Sequence, residues 1–313
     1  MKELNINLKS YNVETCLNLC SWLDIIKYPA GEFQVRIKPE YINEFETSDS
    51  IVIQQSIKSS DDILILALLV DAIRGVQIFA KISLFVPYLP YARADRRFTP
   101  GDCFGLKVFS QMIANMGFYR VLTLDAHSDV ALDCGFVNLS PKEYIIQTIN
   151  DVGTQYSWVN VLFPDAGAAK RYSINELDAT SNVGGSNVKS LYCSKVRNVE
   201  TGKFESFSVP ANDEFVPNCP ILIVDDLCDG GGTFIGIVEK LVQQKMKFNG
   251  LYLYVTHGIF SKGLNTLLYS GSGFFDRIYT TNSYYELPHG EIFNKTDYGV
   301  VHLASGLSVY TVI

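Results

Sequence analysis

The sequence lacks several features that would assign it to other classes of protein. Its longest apolar run, Ile63 to Val70, is far shorter than the roughly 20 residues that a membrane-spanning helix needs. Basic residues are outnumbered, with 26 lysines and arginines against 33 acidic residues and a net charge of −7. This balance argues against binding to nucleic acid or to an anionic membrane. We therefore expect a globular protein with neither of these partners.

Cysteine is sparse and unpatterned. The seven cysteines are scattered over 313 residues, and the closest two are Cys16 and Cys20. Their odd number and irregular spacing fit neither a disulfide framework nor a metal-ligand motif. The start of the chain, Met1 to Asn5, has no apolar signal-peptide core. Together these features predict reduced thiols and a cytoplasmic location.

The apolar segments alternate between strand and helix spacing, which predicts an α/β protein with parallel sheets. The predicted strands are Ser50–Gln54, Lys81–Val86, Arg120–Leu124, Trp158–Phe163, Ser190–Cys193, Ile221–Val224 and Leu251–Val255. The predicted helices are Asp61–Arg74, Phe104–Met116 and Val238–Lys245. The length favours two domains, which we place at 1–150 and 151–285. The C-terminal segment 286–313 is expected to pack back on the first domain.

A glycine-rich segment follows the apolar strand Ile221–Val224. Asp225 and Asp226 come next, and three glycines then precede Thr233 and an apolar helix start. Glycines allow a tight turn whose N–H groups point at one anion, and a helix N-terminus adds a favourable dipole. Adjacent carboxylates suit a vicinal diol or Mg²⁺. The segment predicts a ribose-phosphate site, with a solvated turn as the alternative interpretation.

A cluster of charges follows the predicted strand Lys81–Val86. It contains Arg93, Asp95, Arg96 and Arg97 within an otherwise acidic protein. Guanidinium groups bind phosphate oxygens in a bidentate manner, so the cluster suits a polyphosphate. A solvated charged loop is the alternative interpretation.

A histidine stands at another predicted strand end, where open sheets bind ligands. His127 is flanked by the carboxylates of Asp125 and Asp129. Such a group can hold Mg²⁺ or orient a phosphate. A purely structural histidine is the alternative interpretation.

Three weaker patterns lie in the second half. Phe163–Arg171 repeats the order of strand, acid, glycine and helix start, with Asp165 as the acid. Lys195 and Arg197 follow a strand and could clamp transferring phosphates. Thr256–Ser261 closes the predicted second sheet.

Taken in order, these segments resemble the ribose-phosphate pyrophosphokinase family, also called phosphoribosyl-diphosphate synthetases. The family patterns are P-Y-x-x-Y-A-R-Q-D-R, D-L-H-A, S-P-D-A-G-G-A-K-R, K-x-R, V-D-D-x-x-D-T-G-G-T and T-H-G-I-F-S. The matching segments are Pro87–Arg96, Asp125–Ser128, Phe163–Arg171, Lys195–Arg197, Val224–Thr233 and Thr256–Ser261. The resemblance begins near Tyr28–Glu32, which is similar to F-x-D-G-E, and runs to about Tyr285.

The resemblance implies two phosphoribosyltransferase-like domains, each a mainly parallel sheet flanked by helices. It also implies transfer of the β,γ-diphosphoryl group from Mg·ATP to the anomeric hydroxyl of a ribose 5-phosphate group, with release of AMP. Positioning and charge neutralisation are what such a transfer needs most. A homo-oligomer built from dimers, up to a hexamer, is expected on the same ground.

The resemblance further implies roles for individual residues. The residues implied to face ATP are Tyr28, Glu32, Arg93, Asp95 and Arg96. The implied catalytic residues are His127, Lys195 and Arg197. The residues implied to bind the ribose phosphate are Asp225, Asp226, Asp229, Gly230, Gly231, Gly232 and Thr233. The implied Mg²⁺ ligands are His127 and Asp165.

Three positions depart from the family pattern. Ala30 and Ala94 replace an aspartate and a glutamine that lie beside the adenine of ATP in the family, so we expect adenine to be held differently. Gly230 replaces a threonine of the phosphate loop, which removes a hydroxyl donor and is expected to open space beside the 5-phosphate. A diester carries less charge and needs room for its second substituent. ADP-ribose, which would give ADP-ribose 1-diphosphate for NAD salvage, therefore stays open as an acceptor beside ribose 5-phosphate.

Two other functions stay open. A phosphoribosyltransferase that consumes phosphoribosyl diphosphate shares the loop Asp225–Thr233 but does not explain His127 or a second α/β half. A non-catalytic relative that regulates a true synthetase is expected to lose His127, or the pair Lys195 and Arg197. All three residues are present.

Overall fold

The computed structural model describes residues 2–8, 20–172, 186–197, 204–268, 273–286, 294–295, 300–302 and 307–312. The chain divides into two compact units, Met1–Ser140 and Pro141–Ile313.

The first unit is built on a five-stranded parallel sheet. Its strands are β1 (Glu3–Leu8), β4 (Ser50–Gln55), β5 (Lys81–Val86), β6 (Arg120–Leu124) and β7 (Phe136–Leu139), and they lie in that order. The strands β2 (Leu23–Lys27) and β3 (Phe33–Ile37) form a separate antiparallel hairpin. The α-helices are α1 (Ile42–Glu46), α2 (Ser60–Val76), α3 (Gly105–Ala114) and α4 (Val130–Asp133).

Helix α2 shows how local sequence sets an element of this unit. Ser59 caps its start, because the hydroxyl accepts from Asp62 N and the Asp62 carboxylate accepts from Ser59 N at 2.8 Å. This reciprocal capping box satisfies amide groups that would otherwise lack partners. The helix buries residues at i, i+3 and i+4 spacing against the sheet. They are Ile65, Leu66, Leu69, Val70 and Ile73.

The second unit is built on an eight-stranded, mainly parallel sheet. Its strands are β8 (Trp158–Phe163), β9 (Asn187–Tyr192), β12 (Ile221–Cys228), β13 (Leu251–Gly258), β14 (Arg277–Thr281), β15 (Asn294–Lys295), β16 (Val300–His302) and β17 (Leu307–Tyr310). Their order is β15-β16-β17-β14-β13-β12-β8-β9, and among the described strands of this sheet only the pairs β15/β16 and β16/β17 are antiparallel. The strands β10 (Ser194–Arg197) and β11 (Phe204–Ser208) form an antiparallel hairpin. The α-helices are α5 (Lys142–Gly153), α6 (Ala166–Arg171) and α7 (Gly232–Gln243).

Strand β12 is buried on both faces, which explains its continuous apolar start. Ile221 and Ile223 belong to the core cluster that includes the apolar face of α7. Leu222 and Val224 belong to a second cluster that includes the apolar face of α5. Because successive side chains point to opposite faces of a sheet, a central parallel strand needs apolar residues at every position. The predicted α/β class, with mainly parallel sheets flanked by helices, is confirmed.

The division between the units falls before α5. The side chains of Ile145, Ile149 and Val152 pack in one core with Val159 of the second sheet. The predicted first domain, 1–150, would split this helix from the core that it covers. Within the predicted C-terminal segment 286–313, Leu307–Tyr310 pairs in parallel with β14 of the second unit. The four residues of this strand are buried, as a strand covered on both faces requires. The packing of the segment on the first domain stays a prediction.

The described residues also bear on two compositional expectations. Their helices include none that combines the length and the apolar character needed to span a bilayer. Six described cysteines are free, namely Cys20, Cys103, Cys134, Cys193, Cys219 and Cys228.

Candidate functional site

The acid pair of the second unit lies inside strand β12. The strand continues to Cys228, and Asp225 pairs in register with Val255 of β13. The predicted strand end at Val224 is therefore wrong. The apolar pattern stops at Val224 because the strand there reaches the polar end of the sheet, while backbone pairing continues. Asp226 is 4% exposed, so its carboxylate lies almost wholly within the protein.

Arg171, at the end of α6, lies against both carboxylates. Its Nη1 is 2.8 Å from Asp226 Oδ1 and 3.8 Å from Asp225 Oδ1. The Asp225 carboxylate also accepts a hydrogen bond of 2.9 Å from Asp226 N. A buried carboxylate requires a partner of this kind, because desolvation of an uncompensated charge costs several kcal/mol. Sequence reasoning omitted Arg171 from the site, although it lies within a quoted family segment.

Asp225 and Asp226 share the guanidinium of Arg171, and this sharing affects the pKa of Asp225. Burial and the neighbouring Asp226 carboxylate raise the pKa of Asp225 well above its usual range, while Arg171 opposes the rise. One carboxylate of the pair is thus neutralised by Arg171, and the other lacks a full cation of its own. The arrangement suits hydroxyl donors, or a divalent cation that brings the missing charge.

Gly231 shapes the loop between β12 and α7. Its φ is +76°, and a Cβ built on it would lie 2.6 Å from Leu267 Cδ2. Both the left-handed conformation and the close approach require glycine. Gly231 is the N-cap of α7, so the loop ends at a helix N-terminus suited to an anion. Asp229 and Thr233, which were predicted to bind the phosphate, are exposed on either side of it.

The segment after β13 is tied to the same loop. Ile259 N and Phe260 N both donate to Cys228 O, at 2.9 and 3.1 Å. A Cβ at Gly230 would lie 3.2 Å from Lys262 Cε. The expectation that Gly230 opens space is therefore wrong, because the stem of Lys262 occupies it. At Gly232, in contrast, a Cβ would meet nothing within 4 Å.

Asp165 has a structural role in addition to the predicted metal-binding one. It is the N-cap of α6, and its Oδ1 accepts from Ala168 N at 2.9 Å. It follows β8, which pairs with β12 in the sheet. Lys195 and Arg197 lie on β10, where Lys195 stands opposite Phe207 in β11. The side chains of Lys195 and Arg197 lie outside the described part of the chain, and their roles stay a prediction.

In the first unit, Asp95 and Arg96 form a bidentate ion pair. Arg96 Nε and Nη2 each lie 2.8 Å from a different oxygen of Asp95. The hydrogen bonding by Arg96 lowers the pKa of Asp95 to about 2, with further lowering from Ser128 and from the charge of His127. The structure thus brings Asp95 and Arg96, which were predicted to face ATP, close to His127, which was predicted to be catalytic and to bind Mg²⁺. Arg93 is exposed in the adjoining turn.

The turn that carries His127 has an unusual backbone. Asp125 has a φ of +46°, a region that aspartate tolerates better than most residues. Asp125 N donates to Leu139 O at 2.9 Å, and Ala126 N donates to Asn138 Oδ1 at 2.8 Å. Both acceptors belong to β7, so this strand holds the turn in place.

Tyr28 and Glu32 lie on a different element, at the tip of the β2–β3 hairpin. Tyr28 N donates to Glu32 O at 2.8 Å, and Gly31 between them has a φ of +95°. Both side chains are exposed. Ala94, which departs from the family pattern, packs where α3 begins, since a Cβ at Gly105 would lie 3.0 Å from Ala94 Cβ.

The chemistry of the site residues fits Mg²⁺ that arrives with a phosphate ligand. Within the described residues, no group of three or more His, Cys, Asp or Glu side chains is arranged to hold a metal. Mg²⁺ commonly takes one or two carboxylates and completes its shell with phosphate oxygens and water. The incompletely neutralised carboxylate of Asp225 is the feature that fits such an ion.

Comparison with known proteins agrees with the predicted resemblance. Residues 14–117 match the model of the N-terminal domain of ribose phosphate pyrophosphokinase. The ribose-phosphate pyrophosphokinase of Pyrococcus furiosus is 28% identical over 246 residues, which cover 77% of this chain and 79% of that protein. The Brucella melitensis enzyme of the same name is 29% identical over 251 residues, which cover 76% and 75%.

The fold agrees as well. The crystal structure of phosphoribosylpyrophosphate synthetase from Mycobacterium smegmatis superimposes with a TM-score of 0.69 and covers 98% of this chain and 94% of that chain. The sequence identity is 17%, so this comparison concerns the fold alone. Together, the sequence matches and the shared fold confirm the resemblance.

Proposed function

We propose that this chain, which resembles the ribose-phosphate pyrophosphokinases in sequence and in fold, transfers a diphosphoryl group from Mg·ATP to a ribose 5-phosphate group. The anomeric hydroxyl of the acceptor releases its proton to solvent, and its oxygen bonds to the β-phosphorus of ATP. The bond from that phosphorus to the oxygen bridging the α- and β-phosphates breaks, and AMP leaves. The observation that carries the proposal is the pair of acids Asp225 and Asp226 on β12, which contacts Arg171 and precedes the glycine-rich loop.

The acceptor is held in the second unit. The vicinal hydroxyls of the ribose donate to the carboxylates of Asp225 and Asp226, and Arg171 keeps that pair in place. The 5-phosphate lies in the loop that ends at the N-terminus of α7, where Gly230, Gly231 and Gly232 bring backbone amides close. Asp229 and Thr233 flank it, and the Thr233 hydroxyl can donate to a phosphate oxygen.

The phosphates of ATP are assigned to the first unit. The side chain of Arg96 is 62% exposed although its partner Asp95 is buried, so the guanidinium is fixed yet open to a ligand. Arg93 adds a second cation, and His127 lies beside the same pair. Tyr28 and Glu32 are assigned to the nucleoside of ATP.

The transferring group carries several negative charges. We assign its stabilisation to Lys195 and Arg197 on β10, because cations placed at the developing charge lower the barrier of phosphoryl transfer. Mg²⁺ would supply further charge neutralisation, with His127 as its proposed ligand in the first unit and Asp165, together with Asp225, as its proposed ligands in the second. We also propose that the chain forms a homo-oligomer built from dimers. Light scattering on the purified protein measures the mass of this assembly.

ADP-ribose is a second candidate acceptor, which would give ADP-ribose 1-diphosphate. The observation that favours it is the missing hydroxyl at Gly230. A diester phosphate has fewer charged oxygens to satisfy than a terminal phosphate, so the loss of one donor costs it less. The occupied space beside Gly230 does not exclude this acceptor, because Lys262 is an exposed and flexible side chain.

The test is incubation of the purified chain with Mg·ATP and either ribose 5-phosphate or ADP-ribose, followed by mass detection of AMP and of the diphosphorylated acceptor. We expect AMP to form in step with one of the two products. Lys195→Ala is expected to lower turnover about 100-fold or more without loss of the fold.

Lys189→Ala is the matched control, because Lys189 is an exposed lysine on β9 with no assigned role. Absence of AMP formation with both acceptors would overturn the proposal. Equal activity of the two lysine variants would remove Lys195 from the mechanism.

A further inference from the structure

We propose that Lys262 is a phosphate-binding residue of the acceptor loop, and that glycine at position 230 is what lets it approach. The inference rests on the proposed function, in which this loop holds the phosphate of the acceptor. It adds a cation that the family patterns quoted above do not contain, since Lys262 directly follows the segment Thr256–Ser261.

The geometry places the charged end of Lys262 beside the loop. A Cβ built on Gly230 would lie 3.7 Å from Lys262 Cγ, 3.4 Å from Cδ and 3.2 Å from Cε. The stem therefore runs along Gly230 and is closest at Cε. Nζ is bonded to Cε, so the ammonium group lies one bond from the atom that packs closest to Gly230.

The backbone that carries Lys262 is held by contacts on both sides of Gly230. Before it, Cys228 O accepts hydrogen bonds from Ile259 N and Phe260 N. After it, Leu267 packs on Gly231, where even a Cβ would clash. The turn between these contacts is closed by the bond from Gly263 N to Phe260 O at 2.8 Å. Lys262 lies within that turn and is thus carried over the loop.

The ammonium group of Lys262 is available to a ligand. In the part of the chain that the structure describes, Lys262 forms no ion pair. A threonine at position 230 would place its Cβ within 3.4 Å of the stem and would supply only a neutral hydroxyl. Hydrogen bonds from a charged donor to phosphate are roughly twice as strong as those between neutral groups. Gly230 and Lys262 together exchange a hydroxyl donor for a cation.

The test compares Lys262→Met with the wild type. Methionine keeps most of the stem and removes the charge, so packing on Gly230 is preserved while phosphate binding is not. Calorimetry with ribose 5-phosphate and with ADP-ribose, without ATP, measures binding, and kinetics with Mg·ATP give KM and kcat. We expect about tenfold weaker binding of the acceptor and a similar rise in its KM. The KM for ATP and the melting temperature are expected to stay unchanged.

Two controls accompany the test. Lys262→Arg keeps the charge and is expected to retain most of the affinity. Lys247→Met makes the same change in net charge before β13, at the opposite end of that strand from the loop. Binding by Lys262→Met that equals binding by Lys247→Met would overturn the inference. Failure of the proposed function would look different, because the wild type itself would then form no AMP with either acceptor.

Discussion

Each unit contains carboxylates paired with an arginine, and the two arrangements differ in which partner is buried and in how the charges balance. In the first unit one buried acid, Asp95, holds one exposed arginine, Arg96, through two hydrogen bonds. In the second unit two acids, Asp225 and Asp226, share the single Arg171, and all three side chains are largely buried.

The two arrangements offer different groups to a ligand. The first presents the guanidinium of Arg96, which is held in position by the buried carboxylate of Asp95. The pKa of Asp95 is lowered to about 2. The second presents a carboxylate that its arginine does not fully neutralise, and burial raises the pKa of Asp225. A fixed cation suits the phosphates of a nucleotide, whereas surplus negative charge suits hydroxyl donors or Mg²⁺.

Replacement of each arginine by alanine should have the largest effect on the two sites. Arg171→Ala leaves two carboxylates without a cation in a buried site, and we expect a loss of about 3 kcal/mol in the free energy of unfolding. Acceptor binding should be lost with it. Arg96→Ala leaves one buried carboxylate, which keeps the nearby Ser128 and His127 and has no second acid beside it, so we expect a smaller loss of stability together with weaker ATP binding. Urea unfolding and calorimetry measure both effects.

Arg171→Lys serves as the control, because lysine keeps the positive charge but is expected to lose the longer contact with Asp225. We expect it to recover much of the stability but little of the acceptor affinity, since lysine is a point charge. Equal stability losses for Arg171→Ala and Arg96→Ala would show that burial does not distinguish the two sites.

Two glycine variants test how tightly the loop of the second unit is packed. Gly231→Ala is expected to destabilise the chain by about 2 kcal/mol or more, because its positive φ and its contact with Leu267 both oppose a Cβ. Gly232→Ala is the matched control, since a Cβ there meets nothing within 4 Å and alanine favours the helix. Urea denaturation distinguishes the two variants, and similar free energies of unfolding would contradict the packing of Leu267 on the loop.

In the first unit, two turns reach positive φ values at residues other than glycine. Tyr91 and Asp125 have φ values of +62° and +46° in the turns after β5 and β6. A Cβ built on Gly101, Gly117 or Gly135 of that unit would meet nothing within 4 Å, whereas a Cβ built on Gly231 would lie 2.6 Å from Leu267 Cδ2. The need for glycine at Gly231 therefore comes from packing as much as from backbone conformation.

Parallel strands buried on both faces were predictable from the sequence. The predicted bounds Lys81–Val86, Arg120–Leu124 and Trp158–Phe163 agree with the observed strands. Central strands of this kind are short apolar runs, because both of their faces are covered. The strand Glu3–Leu8 was missed, although its alternating burial reflects an alternation of polar and apolar residues that is visible in the sequence.

Features that depend on contacts between distant segments were not predictable in the same way. The ion pair of Arg171 with Asp226 joins the end of a helix to a strand about 50 residues later, and no local pattern marks it. The approach of Lys262 to Gly230 arises only because β12 and β13 are neighbours in the sheet. Gly230 was recognised as a departure from the family pattern, yet its neighbour could be identified only from the fold.

The smallest and most specific effect concerns how stability depends on pH. Asp95 has a folded-state pKa below its ordinary value of 3.8, so its contribution is present above pH 3.8 and is lost as the pH falls toward about 2. Asp225 has a raised pKa, so the folded state binds more protons there than the unfolded state. Its ionisation therefore lowers stability as the pH rises above 3.8. The two units are thus expected to contribute slopes of opposite sign.

Urea unfolding with EDTA present, at pH values from 2 to 8, measures these slopes in two variants. Asp95→Asn should flatten the acid side of the profile, because it removes a group whose ionised form is stabilised in the folded state. Asp225→Asn should instead reduce the loss of stability as the pH rises, because it removes the repulsion with Asp226. If both variants altered the same side of the profile of stability against pH, the proposed difference between Asp95 and Asp225 would be wrong.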